Sequence, residues 1–170
     1  MNAGIQSPPP MKVLVADDEP LARQRLRTLL AAEPNVELVA EAESGADTVR
    51  RVLALSPDVL LLDVEMPAGG GFEVLRAVPP ESLPVVVFVT AWQCYALQAF
   101  EAQALDFLLK PYDKERFRAA LARVRELEPL SQREYLLLLG AEGTAVRTGR
   151  SHRARVEAAM GLIPEGAGSR

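Results

Sequence analysis

Five polar residues stand where apolar runs stop. Asp17 and Asp18 follow Lys12-Val-Leu-Val-Ala16, Asp63 follows Asp58-Val-Leu-Leu-Leu62, Thr90 closes the run from Pro84 to Val89, and Lys110 follows Ala104 to Leu109. Three carboxylates brought into one crevice repel one another strongly. A divalent cation resolves that repulsion, and an all-oxygen donor set favours Mg2+, with Mn2+ as a second choice. A hydroxyl and an ammonium beside the metal would complete a site for a phosphoryl group. The metal and the lysine neutralise its oxygens, and the hydroxyl donates a hydrogen bond. Taken singly, each residue has a plainer reading. An Asp pair after a strand caps a turn or helix, and a lone strand-end Thr or Lys has no special meaning. The weight lies in their joint placement, so it rests on the elements that position them.

Those elements alternate. After the first run, Pro20 opens a helical stretch, where proline is tolerated in the first turn, and Ala22, Leu26, Leu29 and Leu30 recur at helical spacing until Pro34-Asn35. Val36 to Ala42 is the next strand. Ser44, with Asp47 three residues on, resembles a capping box for a helix with Ala46, Val49 and Leu53 as its apolar stripe, broken at Ser56-Pro57. Asp58 to Leu62 is the third strand, and a short helix near Phe72 to Val78 follows Gly69-Gly70-Gly71. That glycine run lacks the phosphate-loop pattern and reads as a flexible turn, with Gly71 supplying a backbone angle other residues resist. Pro84 to Val89, a helix around Gln93 to Glu101, the strand Ala104 to Leu109 and a helix from Asp113 to Glu126 complete the series. Phe117, Ala120, Leu121 and Val124 share one face of the last helix. Strands apolar on both faces imply a parallel sheet covered by helices on each side. Five strand-helix units predict an α/β, doubly wound, flavodoxin-like fold, in which ligands bind outside the carboxyl ends of the strands. Those ends carry the five polar residues.

Composition excludes several classes. The chain has 170 residues, about half of them hydrophobic and a quarter charged, with one cysteine and one histidine. That is globular, and too poor in ligands for a zinc site. The longest apolar run, Leu83 to Trp92, is far short of the roughly 20 residues a bilayer span needs. No secretory signal is visible, an internal disulfide is impossible, and the chain reads as cytoplasmic with no membrane partner. Residues 1–130 carry 13 basic and 19 acidic side chains, a net −6, which is a poor match for nucleic acid; residues 131–170 carry 6 basic and 4 acidic, a net +2.

Val15-Ala-Asp-Asp-Glu-Pro20, Leu61-Leu-Asp63-Val-Glu-Met66-Pro67 with Gly71, Val89-Thr90-Ala91 and Leu109-Lys110-Pro111 together resemble the receiver domain of a two-component response regulator, over about residues 11 to 127. The resemblance implies the strand order 2-1-3-4-5 and a role for each matching residue. Asp63 would be the phosphoacceptor, attacking the phosphorus of a sensor histidine kinase's phosphohistidine to make an acyl phosphate. Asp18 would bind Mg2+ directly and Asp17 through water, with Asp63 and the main-chain carbonyl of Glu65 completing the protein's share. Lys110 would pair with the phosphoryl group, Thr90 would swing its hydroxyl onto it, and Phe107 would turn inward as the switch aromatic. That would alter the surface of the fourth helix, fifth strand and fifth helix, through which a homodimer would form. The Lys110-Pro111 bond is expected to be cis. Such a domain is not an enzyme acting on an external substrate; it assists its own phosphorylation and dephosphorylation.

Thr90-Ala-Trp-Gln-Cys-Tyr95-Ala-Leu-Gln-Ala-Phe100-Glu, Ala104-Leu-Asp106-Phe107-Leu-Leu-Lys110-Pro111-Tyr and Asp18-Glu-Pro20-Leu-Ala-Arg23 are similar to receivers that precede a LytTR DNA-binding domain in transcriptional regulators. Tyr95, Ala99 and Phe100 are expected to pack the fourth helix. Glu65 and Trp92, two residues after Asp63 and Thr90, would flank the path of attacking water, and the bulk of Trp92 would slow hydrolysis. Cys94 is expected to be half-buried in mid-helix, and His152 to be solvated in an arginine-rich tail.

Residues 1–10 read as a disordered leader, 11–127 as the receiver, and 128–170 as linker and tail. Tyr135 to Leu139 and Thr144 to Arg147 could form a hairpin, as the start of a truncated LytTR output domain. With that domain largely missing, DNA is not expected as a partner of this chain, and a stand-alone receiver working through protein contacts is the alternative. A Mg2+-dependent phosphatase of the haloacid dehalogenase type is disfavoured, because it needs a second aspartate where Glu65 stands.

Overall fold

Short runs of valine and leucine, buried on both faces, alternate with helices that each hide one stripe. The computed structural model describes residues 9–126, together with the backbone of Tyr135–Leu139 and Thr144–Thr148. Strands β1 (Met11–Ala16), β2 (Val36–Ala42), β3 (Val59–Leu62), β4 (Val85–Thr90) and β5 (Asp106–Leu109) form one parallel sheet in the order β2-β1-β3-β4-β5. Helices α1 (Pro20–Ala31), α2 (Gly45–Leu55), α3 (Gly71–Ala77), α4 (Ala96–Glu101) and α5 (Lys114–Glu126) connect and follow them. This is the flavodoxin-like topology and strand order that the sequence implies. The chain moves from β1 outward to β2, then crosses back to β3. The topological switch therefore falls between β1 and β3, and the crevice opens at their carboxyl ends.

The period-two alternation of side chains divides the interior into two cores. Val13, Val15, Val59, Leu61, Val87 and Val89 face α1 and α5 residues such as Leu26, Leu30, Phe117 and Leu121. Their neighbours Leu14, Ala16, Leu60, Leu62, Val86 and Phe88 face Val52 of α2 and Val74 of α3. Leu60, Leu61 and Leu62 are all at most 1% exposed, so truncating any one to alanine should cost about 2–5 kcal/mol. The expected α5 face of Phe117, Ala120, Leu121 and Val124 is buried in full.

Several local expectations are corrected. The buried stripe of α2 is Gly45, Thr48 and Val52; of the expected set, Val49 packs partly buried against the second core, whereas Ala46 and Leu53 are exposed. The rotation follows from a close approach to the β3–α3 loop: a Cβ on Gly45 would lie 1.9 Å from the Gly69 carbonyl oxygen. Gly45 and Ala46 donate their N–H groups to Pro67 and Ala68 of the same loop. Ser44 does cap α2 by accepting from the Asp47 N–H at 3.2 Å, but the Asp47 carboxylate turns to Arg50 and Arg51 instead of closing the box. Gly71 has no left-handed angle. It is needed for space, since a Cβ there would sit 2.5 Å from the Asp63 carbonyl oxygen and 2.9 Å from Phe88. Gln93–Tyr95 is a 3-10 turn before α4, which places Cys94 in an exposed position. Ala99 packs inward, Tyr95 is half-buried and Phe100 is 70% exposed, because a six-residue helix at the end of the sheet has only a narrow buried stripe.

Beyond α5, Tyr135–Leu139 (β6) and Thr144–Thr148 (β7) pair antiparallel, with Tyr135 opposite Thr148 and Leu139 opposite Thr144. That is the expected hairpin, one residue longer in its second strand. The first eight residues of the leader, and His152 with the remaining tail, lie outside the described residues.

Candidate functional site

The sheet's own hydrogen bonding carries the polar residues to one level. The ladder runs one residue past each strand. The Asp17 N–H donates to the Ala42 carbonyl at 3.1 Å, the Asp63 N–H to that of Ala16 at 2.8 Å, and the Lys110 N–H to that of Thr90 at 2.8 Å. Each residue therefore leaves the sheet where the apolar core stops. The Lys110–Pro111 peptide that turns the chain here is cis, as the resemblance implies.

Asp17, Asp18 and Asp63 each offer an oxygen to a group spanning no more than 4.8 Å. Asp17 is 1% exposed and Asp63 7%, while Asp18 is exposed at the mouth. The Lys110 ammonium donates to Asp17 Oδ2 at 2.6 Å and to Asp63 Oδ2 at 3.1 Å, with Glu19 Oε2 further off at 3.9 Å. The remaining oxygens meet backbone: Asp17 Oδ1 accepts from Glu19 N–H at 2.9 Å and Asp63 Oδ1 from Glu65 N–H at 3.3 Å. Burial pushes the Asp17 carboxyl above its ordinary range, opposed by the hydrogen bonds from Lys110 and Glu19. Burial works against the Lys110 ammonium too, but its hydrogen bond to Asp17 and the charges of Asp63 and Asp17 hold it above the usual lysine value.

One ammonium among three carboxylates leaves two negative charges uncompensated at the cluster. The donors are all hard oxygens, gathered closely enough for a single ion to touch several, and they fit a hard divalent cation. Thr90, fully buried, lines the same edge, and its Oγ1 accepts from the Trp92 N–H at 3.4 Å. Phe107 lies on β5 beside Phe88 of β4, partly buried against the second core. Trp92 is 52% exposed.

Two features escaped the sequence. Glu65 Oε1 accepts from the Tyr95 hydroxyl at 2.8 Å, tying the loop after β3 to the turn before α4. Arg23, one turn into α1, is buried, and its guanidinium donates to the carbonyls of both Asp17 and Asp18. A warning was available for the second. A cation near the positive end of a helix is unfavourable unless it has specific acceptors.

The comparisons with known proteins agree with this geometry. Residues 13–122 match the family described as the response regulator receiver domain. The chain is 45% identical over 116 residues to the transcriptional regulatory protein BtsR of Escherichia coli K12, an alignment covering 68% of this chain and 48% of that protein. It thus spans about half the length of the curated relatives it matches. Among solved structures, the response regulatory domain of mrkE from Klebsiella pneumoniae superposes with a TM-score of 0.63 at 31% identity, covering 68% of this chain and 96% of that one. The REC domain of AraT, a response regulator from Geobacillus stearothermophilus, does so with a TM-score of 0.62 at 37% identity, covering 68% and 93%. The matched span takes in the carboxyl end of every strand that brings Asp17, Asp63, Thr90 and Lys110 together, and the chain belongs to the response regulator receiver domain family.

Proposed function

We propose that the chain is the phosphoacceptor switch of a two-component pathway, with Asp63 as the residue phosphorylated by a sensor histidine kinase. The observation that carries this reading is the convergence of three carboxylates within 4.8 Å, with the Lys110 ammonium bridging Asp17 and Asp63. An Asp63 carboxylate oxygen attacks phosphorus and the phosphorus–nitrogen bond of the kinase's phosphohistidine breaks. The electron pair stays on the histidine nitrogen, which takes a proton from solvent, and Asp63 holds an acyl phosphate. Lys110, already against Asp63, exchanges its carboxylate contact for a phosphoryl oxygen. Thr90 rotates to donate its hydroxyl to another, and Phe107 turns into the space that this motion vacates. Asp17, Asp18, Asp63 and the main-chain carbonyl of Glu65 would hold Mg2+ or Mn2+, which would supply charge neutralisation at the phosphoryl oxygens. The chain acts on its own side chain and turns over no external substrate.

Output runs through the α4–β5–α5 face, where phosphorylation biases a two-state equilibrium. Leu97 and Phe100 of α4 are 68% and 70% exposed there, which suits an association surface and a phosphorylation-dependent homodimer. Control of transcription is the reading that the similarity to the transcriptional regulatory protein BtsR supports best, and the string from Thr90 to Tyr112 is what favours a LytTR-type output. A cytoplasmic location fits it, and among the described residues no helix is long and apolar enough to cross a membrane.

The test is to locate the phosphoryl group. After treatment with acetyl phosphate and Mg2+, borohydride reduction converts an aspartyl phosphate to homoserine. Peptide mapping should find that change at Asp63 alone. Its appearance at Asp17, Asp18 or elsewhere would overturn the assignment.

A further inference from the structure

We infer that Arg23 is a positioning residue for the acidic cluster: it fixes the main chain of Asp17 and Asp18 so that their carboxylates are set for a divalent cation. The inference rests on the receiver reading above and extends it to a residue on α1. Arg23 is 8% exposed and is the one charged member of the buried stripe of α1, which it shares with Leu26 and Leu30. Its Nη1 donates to the Asp17 carbonyl at 2.9 Å and to the Asp18 carbonyl at 3.2 Å. Its Nη2 donates to Glu43 Oε1 at 2.6 Å, and Nε lies 3.5 Å from Glu41 Oε2.

The geometry explains why two carbonyls matter. Along an extended strand, successive peptide groups face opposite ways. Two consecutive carbonyls can converge on one nitrogen only where the strand turns. Arg23 sits at that point, immediately after β1, and holds the turn from beneath. A helical side chain leans toward the amino end of its helix, so a residue one turn into α1 reaches back over the loop before it. The turn lets adjacent residues, which would otherwise point to opposite faces, both contribute carboxylates to the group shared with Asp63. Arginine is required because its planar fork grips the two carbonyls and the Glu43 carboxylate at once; a lysine ammonium has no such fork. Groups behind metal ligands commonly set affinity in this way, by about 10–100-fold.

Calorimetric titration of the full chain with Mg2+ alone tests the inference. The proteins are wild type, Arg23→Met, Arg23→Lys and Arg118→Met. The last is a control that removes a different arginine ion pair, to Glu33 at 2.6 Å, away from the cluster. A purely structural Arg23 would lower the melting temperature on substitution, as is expected of Arg118→Met, and leave Mg2+ affinity alone. A positioning Arg23 predicts that Arg23→Met weakens Mg2+ binding by about tenfold or more and Arg23→Lys by less, with Arg118→Met unchanged. Should Arg23→Met fail to fold, Arg23→Lys carries the test. Mg2+ affinity in the folded Arg23 variants within about twofold of wild type overturns the inference and leaves the receiver reading standing. Wild-type protein that binds no Mg2+ overturns both.

Discussion

Two charge clusters, each with a buried carboxylate at its centre, flank β5, and they are built to opposite ends. At its carboxyl end, Asp17 and Asp63 share one ammonium, that of Lys110, and Asp18 adds a third carboxylate at the mouth. At its amino end, Asp106 is gripped by two guanidinium groups, Arg116 at 2.6 Å and Arg123 at 3.2 Å, and also accepts from the Phe107 N–H at 2.7 Å. Burial alone would raise the Asp106 carboxyl, but the Arg116 hydrogen bonds and the Phe107 N–H hold it below the usual carboxylate range. The Asp106 cluster is electrostatically complete and works as a tie between β5 and α5. The Asp63 cluster has more carboxylates than cations, a composition that suits a bound cation. Charge withdrawn from water is costly unless paired, so carboxylates gathered in excess of cations point to a ligand, and a carboxylate fully matched by cations points to architecture.

Substitutions can break this contrast, and the largest effect belongs to the unfinished cluster. Lys110→Met should slow phosphorylation of Asp63 by acetyl phosphate by at least ~100-fold, as loss of one preorganised donor to a developing oxyanion does. Mg2+ affinity by calorimetry should not fall, since the cluster becomes more negative. Gly71→Ala should cost about 1–3 kcal/mol in urea unfolding by driving a methyl into the Asp63 carbonyl, and should perturb the site's main chain as well. Asp106→Asn should cost about 1–3 kcal/mol, below the roughly 3–5 kcal/mol of a fully buried broken pair because Arg116 and Arg123 keep part of their surface in solvent. It should leave Mg2+ affinity unchanged.

The second cluster also carries a pH signature. A carboxyl held low in the folded state contributes stability that is present above its unfolded value and lost as pH falls through the folded one. The difference in melting temperature between wild type and Asp106→Asn should therefore be full at pH 7 and shrink below about pH 4. A constant difference down to pH 2 would mean that Asp106 is not ionised in the fold. The smallest effect is expected at the rim. Trp92→Ala should speed loss of the phosphoryl group only a few-fold, measured by its decay after removal of the donor. No change would make Trp92 an exposed surface residue without a part in hydrolysis.

The unfinished cluster could be read in the sequence, and the finished one could not. A strand buried on both faces advertises its end by its first polar residue, which is why Asp17, Asp63 and Lys110 stood out without coordinates. The α5 stripe was legible for a similar reason, since thirteen residues display a full helical period. Arg23 and Arg116 look like ordinary solvated helix cations. Only the carbonyls and carboxylates that converge on them, from residues up to 20 positions away for Arg23, mark them as buried or tied. The face of α2 was read correctly only at Val49, because a glycine contact with a distant loop, not the apolar pattern, sets its rotation. Gly71 was singled out for backbone freedom, but its need is for space, and space depends on Asp63 and Phe88 packing against it. Phe100 invites an inward reading from its type alone, and it is the tertiary frame that leaves it exposed.

The most direct test of the central claim is the intact mass of the full chain after incubation with acetyl phosphate. It should be measured with Mg2+, with the metal chelated, and in the Asp63→Asn variant. The account predicts the gain of one phosphoryl group in wild type with Mg2+, and none in the other two. No gain in wild type, or an equal gain in Asp63→Asn, would contradict the assignment of Asp63 as a metal-assisted phosphoacceptor.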